Sequence, residues 1–351
     1  MRTFLILVTS SLLLNCQSLA PLSQSGSTPP AAALDTTQTL TTIAFGSCNR
    51  QDEPQPLWDD ILAQQPDLWI WLGDNIYGDT DNMQEMRSKY NQQLAQPGYQ
   101  QLTATVPVVG TWDDHDYGVN DGGQEFEQKQ ASRDLLLEFL AVPKSQPVWE
   151  REGAYQAYTF GPAGRRVKIL LLDTRYFRDA LLASADTARR YGANQAGDLL
   201  GAAQWQWLEE ELRNSDAQVH LIGSSIQVLA EDHGFEKWAN FPQSRQRLLD
   251  LIASAQAPGV VLLSGDRHIG EIARYDAPGL DYPLYDLTSS GLTHIYEAAD
   301  EPNRYRVSNL ITVLNFGLIT IDWNGNPAQL TYQIRGEAGK VLAEETMALN
   351  Q

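Results

Sequence analysis

From Leu40 onward, short apolar runs of strand character alternate with segments of helical periodicity. The runs at 41–48, 67–74, 106–112, 166–174, 219–225 and 260–266 are rich in Val, Ile, Leu and Trp and are predicted to be strands. Between them, apolar residues spaced three and four apart predict helices at 57–64, 83–94, 125–140, 203–215 and 244–254. Alternation of this kind argues for an α/β architecture with parallel pairing. The last third changes character. Segments 311–323, 329–335 and 341–347 read as hairpin strands joined by Gly and Asn turns, which suggests a mixed or antiparallel second sheet.

The N-terminus departs from this pattern. Arg2 precedes an apolar run at 4–14, too short to span a bilayer and suited to an export signal. The stretch "LLNC" ending at Cys16 resembles a lipoprotein signal, so residues 1–16 are expected to be a signal with Cys16 a possible lipid anchor; cleavage after Ala20 is the other reading. Residues 17–38, rich in Ser, Pro, Ala and Thr, are expected to be a flexible tether before one domain at 39–351. An exported chain would work in the periplasm or at the cell surface. With Cys16 lipidated or removed, Cys48 would have no disulfide partner.

Composition narrows the choice of partners. The chain has 351 residues, 42% hydrophobic and 20% charged, with a formal net charge of -19. Nucleic acid is therefore a poor default partner, as is an anionic membrane surface. No obligate protein partner is evident. There is no P-loop, no G-x-G-x-x-G run and no complete G-x-S-x-G elbow.

The charged residues cluster directly after the apolar runs. Cys48 follows the first, Asp74 and Tyr77 the second, Asp113 to Asp116 the third, Asp173 the fourth, and Asp266 and His268 the last. Ligands bind at the carboxyl ends of strands in α/β sheets, so these side chains are expected to converge on one rim. Three carboxylates beside His115 repel one another unless positive charge lies among them. One cation, or better a pair, would supply it. Thiolate with phenolate favours Fe(III), and an all-oxygen site suits Ca²⁺, Mg²⁺ or Mn²⁺.

The blocks "FGSC", "GDNIY", "WDDHD", "LLDTRYFR", "EKWANFPQSR", "SGDRH", "TSSGLTH" and "NFG" occur in this order. As a set they resemble the alkaline phosphatase D (PhoD-like) family of the metallophosphoesterase superfamily. The resemblance implies a four-layer α/β/β/α sandwich, two mixed sheets flanked by helices. It implies two metal ions, expected to be Fe(III) and Ca²⁺, with Mg²⁺, Mn²⁺ or Zn²⁺ as alternatives. It makes Asp74 the bridging carboxylate. Cys48, Tyr77 and His268 would hold one ion, and Asp114 and Asp266 the other. His115 would be the catalytic histidine and Arg175 the grip on phosphate, with Asp173 and Arg178 in the same block.

The implied reaction is hydrolysis of small phosphate monoesters or diesters, a hydroxide shared by two metals attacking phosphorus in line. The alternative is a phosphate-ester-binding protein on the same fold with impaired turnover. Ser224, Ser225 and Gln227 stand where many metallophosphoesterases carry a further histidine ligand, which leaves the second metal's shell incomplete. Asp113 and Asp116 are left between ligation and support of their neighbours. His233 is expected on a surface loop, His294 at the pocket or in loop packing, Trp205 and Trp207 in the core, and 79–82 in a solvated turn.

Overall fold

The computed structural model describes residues 31–349. In chain order the elements are β1 (Thr42–Gly46), α1 (Trp58–Ala63), β2 (Leu68–Leu72), α2 (Met83–Leu94), α3 (Pro97–Thr105), β3 (Val108–Thr111), α4 (Asp114–Tyr117), α5 (Lys129–Phe139), β4 (Gln156–Phe160), β5 (Val167–Leu171), β6 (Leu182–Ala183) and β7 (Tyr191–Gly192). They continue with α6 (Gly201–Arg213), β8 (Val219–Gly223), α7 (Pro242–Ala255), β9 (Val260–Ser264), β10 (Gly270–Tyr275), β11 (Leu284–Ser289), β12 (Phe316–Asp322), β13 (Gln329–Arg335) and β14 (Val341–Ala348).

Two six-stranded sheets carry the fold, ordered β14-β13-β12-β1-β2-β3 and β10-β11-β9-β8-β5-β4. In the first, β1, β2 and β3 are parallel while β12, β13 and β14 run antiparallel. In the second, β11, β9, β8 and β5 are parallel, and β10 and β4 close the two edges antiparallel. Both sheets are thus mixed.

The side-chain alternation along each strand builds the layers. On β2, Leu68, Ile70 and Leu72 join Ile169, Leu221 and Leu263 of the second sheet in a core between the sheets. Trp69 and Trp71, on the opposite face of β2, pack under α1, α2 and α3 with Trp58, Tyr90 and Tyr99. The outer face of the second sheet carries Leu170, Ile222 and Leu262 against Trp205, Leu208, Leu248 and Ile252 of α6 and α7. The order is helix, sheet, sheet, helix. Because both faces are covered, the central strands are apolar throughout.

Three features differ from the sequence expectation. The C-terminal hairpin strands do not form a sheet of their own; β12 pairs with β1 from Thr42↔Thr320 to Phe45↔Gly317 and so extends the first sheet. Hydrophobic pattern defines a strand but not its neighbour, and β1 offered a free edge. Helix α3 starts at Pro97, a residue that suits a helix's first position, in a stretch where the sequence pattern predicted no element. Strands β4, β10 and β11 carry polar residues at alternate or terminal positions and lack the continuous apolar run of the others.

The expected export signal and Cys16 lie outside the described residues. Within the end of the expected tether, Ala32 N–H donates to Thr103 (2.7 Å) and Thr36 accepts from Gly161 N–H (2.9 Å), so part of 31–38 lies against the domain.

Candidate metal centre and active site

Five loops leave the carboxyl ends of parallel strands toward one place. Cys48, Asp74, Asp113, Asp173 and Asp266 each stand two residues beyond β1, β2, β3, β5 and β9 respectively. The turns are tight. Cys48, Asp74, Asp266 and His268 all adopt left-handed backbone, with φ of 59°, 50°, 68° and 55°. Side-chain residues at such angles cost about 1 kcal/mol or more apiece, and they concentrate where function demands the geometry.

Two glycines permit the convergence. A Cβ on Gly73 (φ 95°) would lie 2.5 Å from Asp113 Cβ, and one on Gly265 would lie 2.5 Å from Ser47 Oγ. The first contact joins the loops after β2 and β3; the second joins the loops after β9 and β1, across the two sheets.

The donors then fall into overlapping groups. Ligand atoms of Cys48, Asp74 and His268 lie within 4.8 Å of one another, as do those of Asp74, Asp114 and His115, and those of Asp113, Asp114 and Asp266. Asp74 belongs to two groups, and so does Asp114. Asp74 Oδ2 is 3.4 Å from Cys48 Sγ and 3.4 Å from Tyr77 Oη, while Oδ1 accepts from His115 N–H at 3.4 Å. Tyr77 Oη is also 3.0 Å from His268 Nε2.

The electrostatics show what the cage lacks. Asp116 is neutralised in place: it accepts from the N–H groups of Asp74, Asn75 and Asp113 and from the Asn75 amide. Asp113 Oδ1 meets the Arg175 guanidinium, at 2.6 Å from Nε. Asp113 Oδ2 and Asp114 Oδ1, by contrast, are buried without a partner among the described residues. Burial pushes Asp74 well above the usual carboxylate range, and His115 only partly offsets it. Burial and the charge of Asp114 raise Asp266 to about 7. Burial, then the charge of Asp74, likewise raises the Cys48 thiol; burial, then Cys48, raises the Tyr77 phenol. Burial works against the charge on Asp114 too, yet Arg175 and His115 hold its pKa below the usual value.

Without cations, then, protons neutralise the Cys48, Asp74 and Tyr77 donors while Asp114 keeps its charge. Orphaned carboxylate oxygens, a thiol and a phenol at this density fit metal ions, which replace those protons. The Cys48, Tyr77, His268 and Asp74 donors fit one ion, and Asp113, Asp114 and Asp266 an all-oxygen second.

The PhoD-like phosphatase family pattern matches residues 43–297, which contain every one of these donors. The chain belongs to this family. Alkaline phosphatase D of Bacillus subtilis (strain 168) is 25% identical over 274 residues, 65% of this chain and 46% of that protein. The chain thus spans just under half the length of that relative. The solved structure of PhoD superposes with a TM-score of 0.70 at 20% identity, covering 91% of this chain and 70% of that one. A purple acid phosphatase from yellow lupin (Lupinus luteus) seeds does so with a TM-score of 0.60 at 11% identity, covering 90% and 55%. These superpositions share the fold of two mixed sheets between helices.

Within this PhoD-like cage, the structure brings together Cys48, Asp74, Tyr77, Asp114, Asp266 and His268, with His115 at its edge. It also shows residues the sequence left open. Asp113 faces Asp114 and Asp266, with ligand atoms of the three within 4.8 Å of one another. Ser224 instead accepts from Trp238 Nε1, and Gln227 donates to Glu271. His294 Nε2 lies 2.9 Å from Tyr77 Oη, beside His268, whose ring it meets edge to face at 4.3 Å. Asp79, in the expected solvated turn, accepts from or donates to His115 Nδ1 at 2.6 Å, according to protonation, and so leaves Nε2 as the free ring nitrogen.

Arg175 differs most from its expected place. Its side chain is fully buried, with Nη1 2.6 Å from Glu236 and the rest of the guanidinium on Asp113. Glu236 also pairs with Arg178 at 3.1 Å. A guanidinium engaged on two carboxylates has little left to offer a phosphate. Asp173 is likewise occupied, accepting from Trp112 Nε1 and from the N–H groups of Arg175, Tyr176 and Ala154.

Proposed function

We propose that the chain is an exported, metal-dependent hydrolase of small phosphate monoesters or diesters. The observation that carries this reading is Asp74. It belongs to two groups of potential ligands, one with Cys48 and His268 and one with Asp114 and His115. A carboxylate so placed would serve two ions. Family membership supports the same reading, and export rests on the apolar run at 4–14 alone.

Cys48, Tyr77, His268 and Asp74 would hold an Fe(III) ion; Asp74, Asp113, Asp114 and Asp266 would hold Ca²⁺, Mg²⁺ or Mn²⁺. Bound there, the ions supply Lewis acidity toward phosphate oxygens and lower the pKa of water toward neutrality. His115, oriented by Asp79, donates a hydrogen bond or proton from Nε2 to the phosphoryl or leaving-group oxygen. Arg175 acts as a positioning residue, holding Asp113 in the cage through its ion pair.

The test is hydrolysis of para-nitrophenyl phosphate and its bis ester between about pH 7 and 10, with and without chelator. Chelator-sensitive turnover of either ester supports the reading. Metal-loaded protein that binds these esters without turning them over would point to the impaired binding protein instead.

A further inference from the structure

Beside the cage, His233 and Lys237 from the loop between β8 and α7, with Arg267 from the loop after β9, are cationic or donor side chains that the reading above leaves unused. His233 is 3% exposed, not on the surface as its sequence context implied. Phe235 N–H donates to His233 Nδ1 at 3.2 Å, so the neutral ring carries its proton on Nε2. That nitrogen is buried and has no acceptor among the described residues.

Lys237 is 2% exposed, and its ammonium donates to the Phe235 carbonyl at 2.9 Å. Among the described residues no carboxylate lies within ion-pairing distance of it. The acids nearby are engaged elsewhere, Asp232 with Arg304 and Glu236 with Arg175 and Arg178. Arg267, 5% exposed, sends one amino group to Glu301 and keeps a buried Nε without an acceptor. Its guanidinium lies 4.0 Å over the Phe235 ring, and His233 faces the positive charges of Arg267, Lys237, Arg189 and Arg306.

Buried donors without acceptors are costly, and an unneutralised ammonium more so. In a chain of net charge -19, a buried ammonium with no carboxylate partner among the described residues, beside two donor nitrogens without acceptors, is what a bound anion would account for. The cluster also adjoins the cage. Arg267 stands between Asp266 and His268, and Lys237 follows Glu236, whose partner Arg175 holds Asp113. The exposed rings of Phe235 and Tyr296 meet edge to face at 6.2 Å beside it, and Tyr296 N–H donates to the His268 carbonyl at 2.8 Å.

We propose that His233 Nε2, Lys237 Nζ and Arg267 Nε form an anion-binding subsite next to the metal cage, which takes a second oxyanion, carboxylate or phosphate, on the substrate. This deepens the phosphoesterase reading and rests on it for where the first phosphoryl group lies. With that group on the cage, an anion held by the cluster belongs to the remainder of the same molecule. The favoured substrates are therefore esters whose leaving group is itself negatively charged. Each added charge-assisted hydrogen bond is of the strong class.

Binding of non-hydrolysable phosphonates to the metal-loaded protein, read by titration calorimetry, tests this apart from turnover. Propylphosphonate carries no second anion, phosphonopropionate adds a carboxylate and ethylene bisphosphonate adds a phosphonate. Phosphonopropionate, the bisphosphonate or both are expected to bind about tenfold more tightly than propylphosphonate, and the pattern tells which oxyanion is preferred. Lys237→Met and His233→Leu are each expected to remove that advantage while leaving propylphosphonate affinity unchanged, and Lys237→Arg to restore it. Equal affinity for all three probes, absence of binding, or variants that weaken all probes alike would overturn the subsite. The readouts separate the two readings. The binding advantage without ester hydrolysis keeps the subsite and removes the hydrolase; hydrolysis without the advantage does the reverse.

Discussion

Asp79 and His294 hold the two aromatic side chains on which the cage depends. Asp79 contacts His115 Nδ1 at 2.6 Å, and burial of that imidazole is outweighed by Asp74 and Asp79, which raise its pKa to about 11 in the metal-free protein. The charged ring therefore stabilises the metal-free fold. That contribution is fully present below the ordinary histidine pKa near 6.5 and is lost as pH rises through about 11. Asp79→Asn is expected to lower the His115 pKa in a nuclear magnetic resonance titration of the metal-free protein. In the loaded enzyme it should reduce kcat by about tenfold to a hundredfold, with KM nearly unchanged. An unchanged kcat would remove Asp79 from the mechanism. His294 acts on Tyr77 in the same way, because two imidazoles flank one hydroxyl. His294→Ala should weaken metal affinity by about 10–100-fold in competition with a chelator, without loss of the folded state. Neither role was readable from the chain. Asp79 sits in a polar turn like many others, and only the approach of α4 to the loop after β2 gives it a partner.

The elements place the cage through their ends. Helix α4 begins at Asp114, with Asp113 at its N-cap and Asp116 closing back on the Asp113 N–H at 2.7 Å. The run of acids that looked like crowding thus divides into Asp113 and Asp114, which meet Asp266, and a capping residue, Asp116. The spacing of the loops relies on Gly73, whose φ of 95° and closeness to Asp113 leave no room for a side chain. Gly73→Ala should destabilise the protein by about 1–3 kcal/mol in denaturant unfolding. It should also lower metal stoichiometry, since Asp74 and Asp113 would be pushed apart. A variant of native stability with full metal content would show that the close approach is dispensable. The strands themselves were legible because both faces of β2, β5, β8 and β9 are buried, which leaves long apolar runs. Strands β10 and β11 were not, because their residues serve polar tasks: Glu271 receives Gln227 and Asn303, and Asp286 receives Ser264 and two backbone N–H groups.

At the scale of the whole molecule, donors from the two sheets meet at one rim. Asp74, Asp113 and Asp114 come from the first sheet and Asp266 from the second, so ions held among them would tie the layers together. Metal at a thousandfold excess over its dissociation constant would add about 4 kcal/mol. Chelation is therefore expected to lower the melting temperature by several degrees, and re-addition of metal to restore it. Because Cys48, Asp74 and Tyr77 hold protons in the metal-free state, loading should release protons, and affinity should climb with pH through the neutral range. Calorimetry in buffers of different ionisation enthalpy measures that release; its absence would mean that the thiol and phenol are not ligands.

The sequence by itself determined the α/β alternation, helices α1, α2, α5, α6 and α7 of the outer layers and the set of donors following the strands, because each is encoded in neighbours along the chain. Tertiary structure alone decided which sheet received β12 to β14, that Asp113 turns inward with Asp114 and Asp266, and that Arg175 is spent on Asp113 and Glu236. It also decided that His233, Lys237 and Arg267 share one buried patch. Those outcomes depend on contacts between residues far apart in sequence, where the cost of leaving a charge or a hydrogen-bonding group unmatched is set by what the fold happens to bring beside it.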